Sequence, residues 1–264
     1  MNTEKRLWFV FFNDQLLVEK RDGELTVPYQ DTPPTPIPEW THIHELSLFD
    51  GEMFNAYSLS APIPEDEHFA MIGLRASFDV LLHSQYLKAG KAQELIYWDK
   101  NSRFCPACGM PMNWHTSISK RCIGCGKEIW PTVATAIIVL ITRGDEVLMV
   151  HARNFKGDYY GLVAGFVETG ETLEECVERE VMEETGLRIR NIRYFASQPW
   201  PYPCGLMVGF TAEYESGEIK LQDSELSAGD FFTKDNLPNI PGKMSLARRL
   251  IDHWRNNEEL LLVR

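Results

Sequence analysis

The chain has 264 residues and a formal net charge of −12, and this length is sufficient for more than one folded domain. Its hydrophobic content of 44% excludes collagen-like and wholly disordered classes. The acidity disfavours general binding of long phosphate backbones, although bound metal ions could still capture a small anionic ligand. No apolar run approaches the roughly 20 residues of a spanning helix, and residues 7–12 are too few for a signal peptide. We therefore expect a cytoplasmic protein without a membrane segment.

The first hundred residues predict a small α+β domain without an obvious catalytic motif. Two short apolar runs that turn at Asn13-Asp14 predict a hairpin, and residues 52–59 predict a further strand. Between them, the proline-rich residues 32–38 predict an extended loop. From residue 77 to residue 98 the apolar spacing becomes helical, with a break expected at Gly90. We find no internal sequence repeat.

Four of the six cysteines form two Cys-x-x-Cys pairs, Cys105/Cys108 and Cys122/Cys125, separated by thirteen residues. In a chain without a signal peptide, this spacing indicates a metal site rather than disulfides. Four thiolates complete the tetrahedral shell that zinc prefers and leave no open position, so we predict one structural zinc ion per chain. A redox dithiol and a nucleic-acid-binding ribbon are the alternatives. A redox dithiol would not need a second Cys-x-x-Cys pair. The small number of basic residues nearby argues against a nucleic-acid-binding ribbon.

The composition changes after residue 130. Residues 134–142 and 147–151 are rich in β-branched side chains and predict a hairpin that turns at residues 143–146. A helix is predicted over about residues 173–185, strands over 206–214 and 218–221, and a closing helix over 244–254. These patterns predict an N-terminal domain over residues 1–100, a zinc ribbon over 101–130 and a third domain over 131–264.

The segment 165–187 carries the clearest chemical signal. Thr172 and Glu175 form a capping box at the start of its helix, and Gly186 is placed to end it. On a helical wheel, Glu180 and Glu184 lie one turn apart in the middle of the apolar face. Two carboxylates there are costly unless cations compensate them, and hard divalent cations take oxygen ligands. A solvated acidic helix or a calcium-stabilised structural helix explains this pair less well.

The same segment resembles the Nudix box, G-x₅-E-x₇-R-E-U-x-E-E-x-G-U with U aliphatic, at all nine constrained positions. The resemblance implies a Nudix fold, a mixed β-sheet sandwiched between helices, within an α+β protein. It also implies hydrolysis of a diphosphate with two or three Mg²⁺ or Mn²⁺ ions. Metal ligands implied by it are Glu180, Glu184 and the carbonyl of Ala164, with Arg179 orienting the glutamates. Glu184 is our candidate for the base that activates water, and Glu183 lies further from the centre of the face.

A second motif concerns the substrate. Residues 197–205 read S-Q-P-W-P-Y-P-C-G, and their three prolines stiffen a loop that could present Trp200 and Tyr202 for stacking on flat rings. A structural loop that packs its aromatic side chains into the core is equally compatible with the spacing. The segment is similar to S-Q-P-W-P-F-P-x-S of the NADH pyrophosphatase subfamily, with Tyr202 replacing phenylalanine and Gly205 replacing the last serine. That subfamily also places an N-terminal domain and a four-cysteine zinc ribbon before its Nudix domain.

This resemblance implies hydrolysis of NADH or NAD to nicotinamide mononucleotide and AMP, removal of NAD caps from RNA 5′ ends, and a homodimer. It implies Glu225 as a further metal ligand. The substrate contacts that it implies are Arg75, Trp130, Gln198, Pro199, Trp200, Pro201, Tyr202, Pro203, Cys204, Gly205 and Ala247. Two other hypotheses are a Nudix enzyme of different specificity, such as an ADP-ribose pyrophosphatase, and a zinc-ribbon RNA-binding protein with a vestigial Nudix box.

Overall fold

The computed structural model describes residues 4–256, which divide into two compact units. The first unit comprises residues up to Thr132 together with Pro201–Cys204, and the second comprises Val133–Trp200 and the residues from Gly205 onward. Among residues 4–256, no helix is both long and apolar enough to cross a bilayer.

The first unit contains a mixed sheet, a long helix and a small ribbon. Its elements are β1 (Arg6–Phe12), β2 (Gln15–Arg21), β3 (Glu24–Thr26), β4 (Tyr29–Gln30), β5 (His44–Ser47), β6 (Met53–Ser58), β7 (Phe69–Gly73), α1 (His83–Asn101), β8 (Met112–Thr116), β9 (Ser119–Cys122) and β10 (Glu128–Ile129). The main sheet has the order β3-β2-β1-β6-β5, with β4 paired to β1 and β7 paired to β2. Strands β1 and β6 are parallel, and the other pairs in this sheet are antiparallel.

Helix α1 covers one face of this sheet, against β1, β5 and β6. On the other face, Trp8 and Val10 pack with Ile37 and Ile43, which belong to the proline-rich segment between β4 and β5. Both faces of β1 are thus covered, which explains why its side chains are apolar without a period of two.

Helix α1 continues through Gly90, so the predicted break there is wrong. A Cβ atom at position 90 would lie 3.1 Å from Cγ of Pro201. Glycine therefore allows a close approach to the segment Pro201–Cys204. It costs the helix about 1 kcal/mol relative to alanine, which tertiary packing can offset.

The second unit is a sheet between two helices. Its elements are β11 (Ala134–Arg143), β12 (Glu146–Ala152), β13 (Val163–Phe166), α2 (Leu173–Thr185), β14 (Arg188–Trp200), β15 (Gly205–Ser216), β16 (Leu226–Thr233) and α3 (Leu246–Asn256). The strand order is β14-β15-β11-β12-β16, with β13 paired to β11 and with β11 parallel to β15.

The two faces of β11 serve two separate cores. Ile137 and Val139 pack with Val177 of α2, whereas Ile138 and Leu140 pack with residues of α3. This alternation explains why β11 is an unbroken apolar run, since each face of the strand is buried against a helix. The predicted mixed sheet sandwiched between helices is confirmed.

The two units repeat one topology. In each, a first strand pairs antiparallel with the next strand of its hairpin and parallel with a later strand: β1 with β2 and β6, and β11 with β12 and β15. Strands β4, β5 and β7 occupy the positions of β13, β14 and β16. Helix α1 packs on β1, β5 and β6, which correspond to the strands β11, β14 and β15 that α3 packs on in the second unit. The first unit has no helix corresponding to α2 among its described residues, and the segment of residues 31–43 takes that place in the chain.

Other element predictions had mixed outcomes. The helix over residues 173–185 and the hairpin at residues 143–146 are confirmed. A strand over residues 218–221 is wrong. Instead, the N–H groups of Lys220 and Gln222 donate to the carbonyls of Thr185 and Glu184 at the end of α2. Strands β14 and β16 were not predicted. Three register irregularities in the pairing of β14 with β15 disrupt the alternation that would have indicated β14.

Candidate active site and zinc site

Helix α2 begins and ends where local chemistry dictates. The Thr172 side chain accepts a hydrogen bond from the Glu175 N–H (3.2 Å), and the Glu175 carboxylate accepts one from the Thr172 N–H (2.7 Å). Such a capping box satisfies two of the N–H groups that a helix start leaves unpaired. Gly186 ends the helix with φ of 70°, a conformation that glycine adopts without a steric penalty.

Burial along α2 agrees with the helical wheel. Cys176, Val177 and Val181 are buried against the sheet, and each valine contributes about 1.5–3 kcal/mol of hydrophobic stabilisation. Glu184 lies on this side and is only 4% exposed, whereas the Glu183 side chain is 53% exposed. The helix therefore holds one glutamate in the protein interior, which its apolar neighbours alone would not stabilise.

Arg179 organises the charged groups beside this helix. Its Nε and Nη2 atoms donate to the two carboxylate oxygens of Glu171 at 2.9 and 2.7 Å. Its Nη1 donates to Glu180 at 2.9 Å and to Glu183 at 3.2 Å, and Nη2 also donates to the carbonyl of Phe166 at 3.0 Å. This paired geometry is the kind that a planar guanidinium favours. The guanidinium lowers the pKa of Glu171 to about 2, and Glu171 in turn raises the pKa of Arg179.

The more buried carboxylates of Glu180 and Glu184 behave differently. Burial, together with the smaller effects of the charges of Glu180, Glu225 and Glu183, raises the pKa of Glu184 to about 8. Burial also raises the pKa of Glu180, against the opposing effect of Arg179. Among the described residues, none donates a hydrogen bond to the Glu184 carboxylate. This group is therefore an oxygen donor without a protein partner, and a hard divalent cation fits it.

Glu225 reaches this region from the turn before β16. Its N–H donates to the carbonyl of Gln222 (3.0 Å), and its carbonyl accepts from the N–H of Arg153 (2.8 Å). In the part of the chain that the structure describes, only the cysteine cluster has three or more ligand atoms all within 4.8 Å of one another. The glutamate oxygens are more widely spaced, as expected for like charges that repel one another without a cation between them.

Gly165, the first residue of the box, lies in β13 beside Glu180. A Cβ atom at this position would lie 1.9 Å from Cδ of Glu180. Any side chain there must therefore displace the Glu180 carboxylate. The glycine is required by this close approach, and not by its backbone conformation, because its φ is not in the left-handed region.

We expect Gly165→Ala to lower kcat for diphosphate hydrolysis about 100-fold, because a shift of about 1 Å in a site group can cost that much. The measurement is steady-state hydrolysis with Mg²⁺, with the melting temperature as a check of folding. Gly73→Ala is the matched control, since a Cβ atom at position 73 meets nothing within 4 Å. Wild-type kcat in Gly165→Ala would contradict the proposed importance of the Glu180 position.

The four paired cysteines form one cluster in the first unit. Their Sγ atoms lie within 4.8 Å of one another, with Cys105 to Cys125 at 3.6 Å and Cys108 to Cys122 at 3.4 Å. A tetrahedral zinc–thiolate shell with bonds of about 2.3 Å would separate its sulfurs by about 3.8 Å. The cluster therefore fits a zinc ion.

Backbone geometry supports the same conclusion. The N–H groups of Ala107 and Gly124 point at Sγ of Cys105 and Cys122 at 3.4 and 3.3 Å, as expected for groups that stabilise thiolates. The ribbon strands β8 and β9 pair with each other, and β10 pairs with β9. Few apolar side chains lie under this ribbon, so a metal ion would supply stability that its core lacks.

The predicted substrate residues fall in both units. In the first unit, the guanidinium carbon of Arg75 lies 4.3 Å from the centre of the Tyr202 ring. The hydroxyls of Tyr202 and Tyr86 are 2.9 Å apart. Arg75 and Tyr202 are thus brought together, and Pro201 packs beside Gly90. The other predicted contacts in this unit are Pro203, Cys204 and Trp130. The Trp130 side chain is exposed.

The remaining predicted contacts belong to the second unit, with Gln198, Pro199 and Trp200 in β14. Nε2 of Gln198 donates to the carbonyl of Met244 at 2.7 Å and so joins β14 to the segment before α3. Ala247 is buried in α3. Gly205 lies opposite Trp200, and a Cβ atom there would be 3.1 Å from the Trp200 carbonyl oxygen. A serine at position 205 would require its neighbours to shift by a few tenths of an ångström.

Sequence reasoning omitted Glu171 from the candidate site residues. The available signal was its constrained position in the box, but nothing in the spacing shows that it pairs with Arg179. The pairing depends on how the segment before α2 folds back toward the helix, where the Glu168 N–H also donates to the Glu171 carboxylate at 2.7 Å.

The chain is similar to known proteins along most of its length. The NUDIX domain family matches residues 131–254, and the family described as NADH pyrophosphatase-like rudimentary NUDIX domain matches residues 5–98. The NAD-capped RNA hydrolase NudC of Pseudomonas aeruginosa is 40% identical over 227 residues, which are 81% of this chain and 80% of the relative. NudC of Deinococcus radiodurans is 42% identical over 187 residues, which are 69% of this chain and 67% of the relative.

A solved Nudix hydrolase from Nitrosomonas europaea has a TM-score of 0.51 at 19% identity, covering 59% of this chain and 92% of that one. This likeness shows the fold alone. Fold and site together define a Nudix hydrolase. The chain belongs to the NADH pyrophosphatase (NAD-capped RNA hydrolase) subfamily, and the predicted membership is confirmed. The topology of the first unit, whose described residues include no counterpart of α2, is consistent with the description of a rudimentary Nudix domain.

Proposed function

We propose that this protein hydrolyses the diphosphate bond of NADH and NAD to nicotinamide mononucleotide and AMP, and removes NAD caps from RNA 5′ ends. The observation that carries the proposal is the buried Glu184 carboxylate, which has no described hydrogen-bond donor and lies beside Glu180 at the box helix. The choice of substrate is supported by relatives named as NAD-capped RNA hydrolases over most of the chain. We also propose that the chain has three domains: an N-terminal domain over residues 1–100, a zinc ribbon over 101–130 and a Nudix domain over 131–264.

Each residue of the site has a proposed role. Glu180, Glu184, Glu225 and the carbonyl of Ala164 would hold two or three Mg²⁺ or Mn²⁺ ions. These ions, when bound, neutralise the diphosphate and lower the pKa of the attacking water. The Glu184 carboxylate accepts the proton of that water, and its burial suits a group that must be a base near neutral pH. Arg179 holds the Glu180 and Glu183 carboxylates in position by hydrogen bonds, while Glu171 fixes Arg179.

For the substrate we propose contacts from Gln198, Pro199, Trp200, Gly205 and Ala247 in the second unit and from Pro201, Tyr202, Pro203, Cys204, Arg75 and Trp130 in the first. Aromatic rings held by prolines lose little conformational freedom when they stack on a base. The contact of Arg75 with Tyr202 supports a rigid ring at that position. Gly205 has no side chain, so it does not push against the backbone of Trp200 as a serine at this position would.

The test is to incubate the purified full chain with Mn²⁺ and separately with NADH, NAD⁺, ADP-ribose, a nucleoside triphosphate and NAD-capped RNA, and to identify the products. We expect nicotinamide mononucleotide and AMP from the dinucleotides, and a 5′-monophosphate end from the RNA. Faster cleavage of ADP-ribose would replace this proposal with another Nudix specificity. No cleavage of any substrate would favour an RNA-binding protein with a vestigial box.

We also propose that the protein is a homodimer, as the subfamily resemblance implies, and that it is cytoplasmic. Light scattering coupled to size-exclusion chromatography tests the dimer, for which a mass of one 30.3 kDa chain would be the contradicting result.

A further inference from the structure

A groove of about 500 Å³ lies within the first unit, away from any residue given a role above. Its walls come from three places: the segment Trp40 to His42, the end of α1 at Asp99 to Arg103, and the ribbon strands β8 and β9. The volume is within the range of about 300–1,000 Å³ that small-ligand sites occupy. The first wall belongs to the segment of residues 31–43, which lies between β4 and β5 at the point in the chain where the second unit has α2 between β13 and β14.

Aromatic rings dominate one side of the groove. His42 stacks on Trp114 with ring centres 4.6 Å apart and planes at 20°, and Trp98 meets Trp114 edge to face at 5.5 Å. Trp40 also lines the groove and is 54% exposed, and the hydroxyl of its neighbour Thr41 donates to the carbonyl of Ser58 at 3.0 Å. The exposed Trp40 ring offers a surface on which a flat heterocycle can stack.

Cationic groups lie beside these rings: the guanidinium carbon of Arg103 is 5.8 Å from the centre of the Trp40 ring, and Nζ of Lys120 is 5.2 Å from the centre of the Trp114 ring. Lys120 is buried and pairs with Asp99 at 2.5 Å, so these two charges compensate each other. Lys100 and Arg103 have no carboxylate partner within 4.0 Å among residues 4–256. Burial lowers the pKa of Lys100, and the nearby charge of Arg103 lowers it further. A chain with a net charge of −12 therefore concentrates uncompensated positive charge in this groove, where an anion would relieve the repulsion.

From this arrangement we infer that the groove is a nucleotide-binding site, separate from the Nudix site, that stacks a base on Trp40 and holds a phosphate with Lys100 and Arg103. A ring platform beside a cationic groove is the arrangement by which proteins bind single-stranded nucleic acid without reading sequence. The ligand that fits this groove is a base joined to a phosphate. Both a free mononucleotide and one residue of an RNA strand contain this group. The RNA could be the strand that follows the cap in the proposed substrate.

The test is binding of a fluorescein-labelled hexaadenylate RNA with a 5′-hydroxyl end, followed by fluorescence anisotropy with the full chain. This probe contains no diphosphate, so the result does not depend on hydrolysis or on the proposed function. Stacking on one ring is worth about 1–3 kcal/mol, so Trp40→Ala should raise Kd about fivefold or more. Arg103→Ala should raise Kd and reduce the slope of log Kd against log salt by about 0.7, the value for one phosphate contact on a single strand.

Phe49→Ala and Lys127→Ala are the matched controls, because the first removes an exposed ring and the second an exposed cation outside the groove. Both variants should bind the RNA as the wild type does.

Competition with AMP distinguishes a mononucleotide site from a strand site. Displacement of the RNA by AMP at concentrations near the Kd of the hexamer supports a mononucleotide site, and displacement only at far higher AMP concentrations supports a strand site. The proposal is overturned if neither probe binds saturably, or if Trp40→Ala and Arg103→Ala both keep the wild-type Kd.

Discussion

Glu184→Gln is expected to lower kcat for diphosphate hydrolysis by about 10²–10⁴-fold, the usual contribution of a general base, while the protein remains folded. Glutamine has nearly the same shape but can neither accept the proton of the attacking water nor offer a charged oxygen to a cation. The side chain is 4% exposed and its pKa is raised to about 8 by burial and by neighbouring glutamates. Removal of this poorly solvated charge should therefore leave the melting temperature unchanged or higher without added magnesium.

The measurement is kcat with saturating Mn²⁺ or Mg²⁺ together with a thermal melt. Glu178→Gln is the matched control, since Glu178 is exposed on the same helix and makes no contact with the Arg179 network. A loss of activity in both variants would indicate a general effect of helix charge. Near-normal turnover in Glu184→Gln would refute the role assigned to Glu184.

Cys122→Ser is expected to abolish stoichiometric zinc and to unfold the ribbon. Cys122 is 3% exposed and its sulfur lies 3.4 Å from Cys108, so a serine leaves three thiolates and one poor ligand in a closed shell. Structural zinc contributes about 10–16 kcal/mol in zinc-finger peptides, which far exceeds what the few apolar side chains under this ribbon can supply.

Zinc per chain, measured by mass spectrometry of the metal, and limited proteolysis between residues 103 and 130 together check this result. Cys204→Ser provides the control, because Cys204 is outside the cluster and should leave one zinc ion per chain. If Cys122→Ser retained one zinc ion and a protected ribbon, the structural zinc site would be wrong.

Local sequence signals predicted the parts of this protein that depend on neighbouring residues. The limits of α2 follow from a capping box and a terminal glycine, both of which act within three or four residues. The cysteine cluster follows from spacing, because a Cys-x-x-Cys turn brings its two sulfurs together whatever surrounds it. The orientation of Glu184 toward the core follows from helical geometry alone.

Signals that depend on distant residues were missed or misread. Gly90 was interpreted as a helix break because its close approach to Pro201 cannot be read from residues 85–95. Residues 218–221 have the composition of a strand, but their N–H groups bond to the carbonyl end of α2. Strand β14 was obscured because its pairing with β15 is irregular, so its side chains do not alternate.

The sequence by itself determined the reaction class and the cysteine cluster, since both depend on short motifs whose chemistry follows from residue type and spacing. Only the tertiary structure decided that the first unit repeats the strand topology of the second, with no helix corresponding to α2 among its described residues. Strand pairing joins residues far apart in the chain, so two segments can share a topology while sharing no recognisable pattern. It also decided that Glu171 anchors Arg179, and that Trp40, Lys100 and Arg103 line one groove, because these contacts are made across folded segments rather than along one.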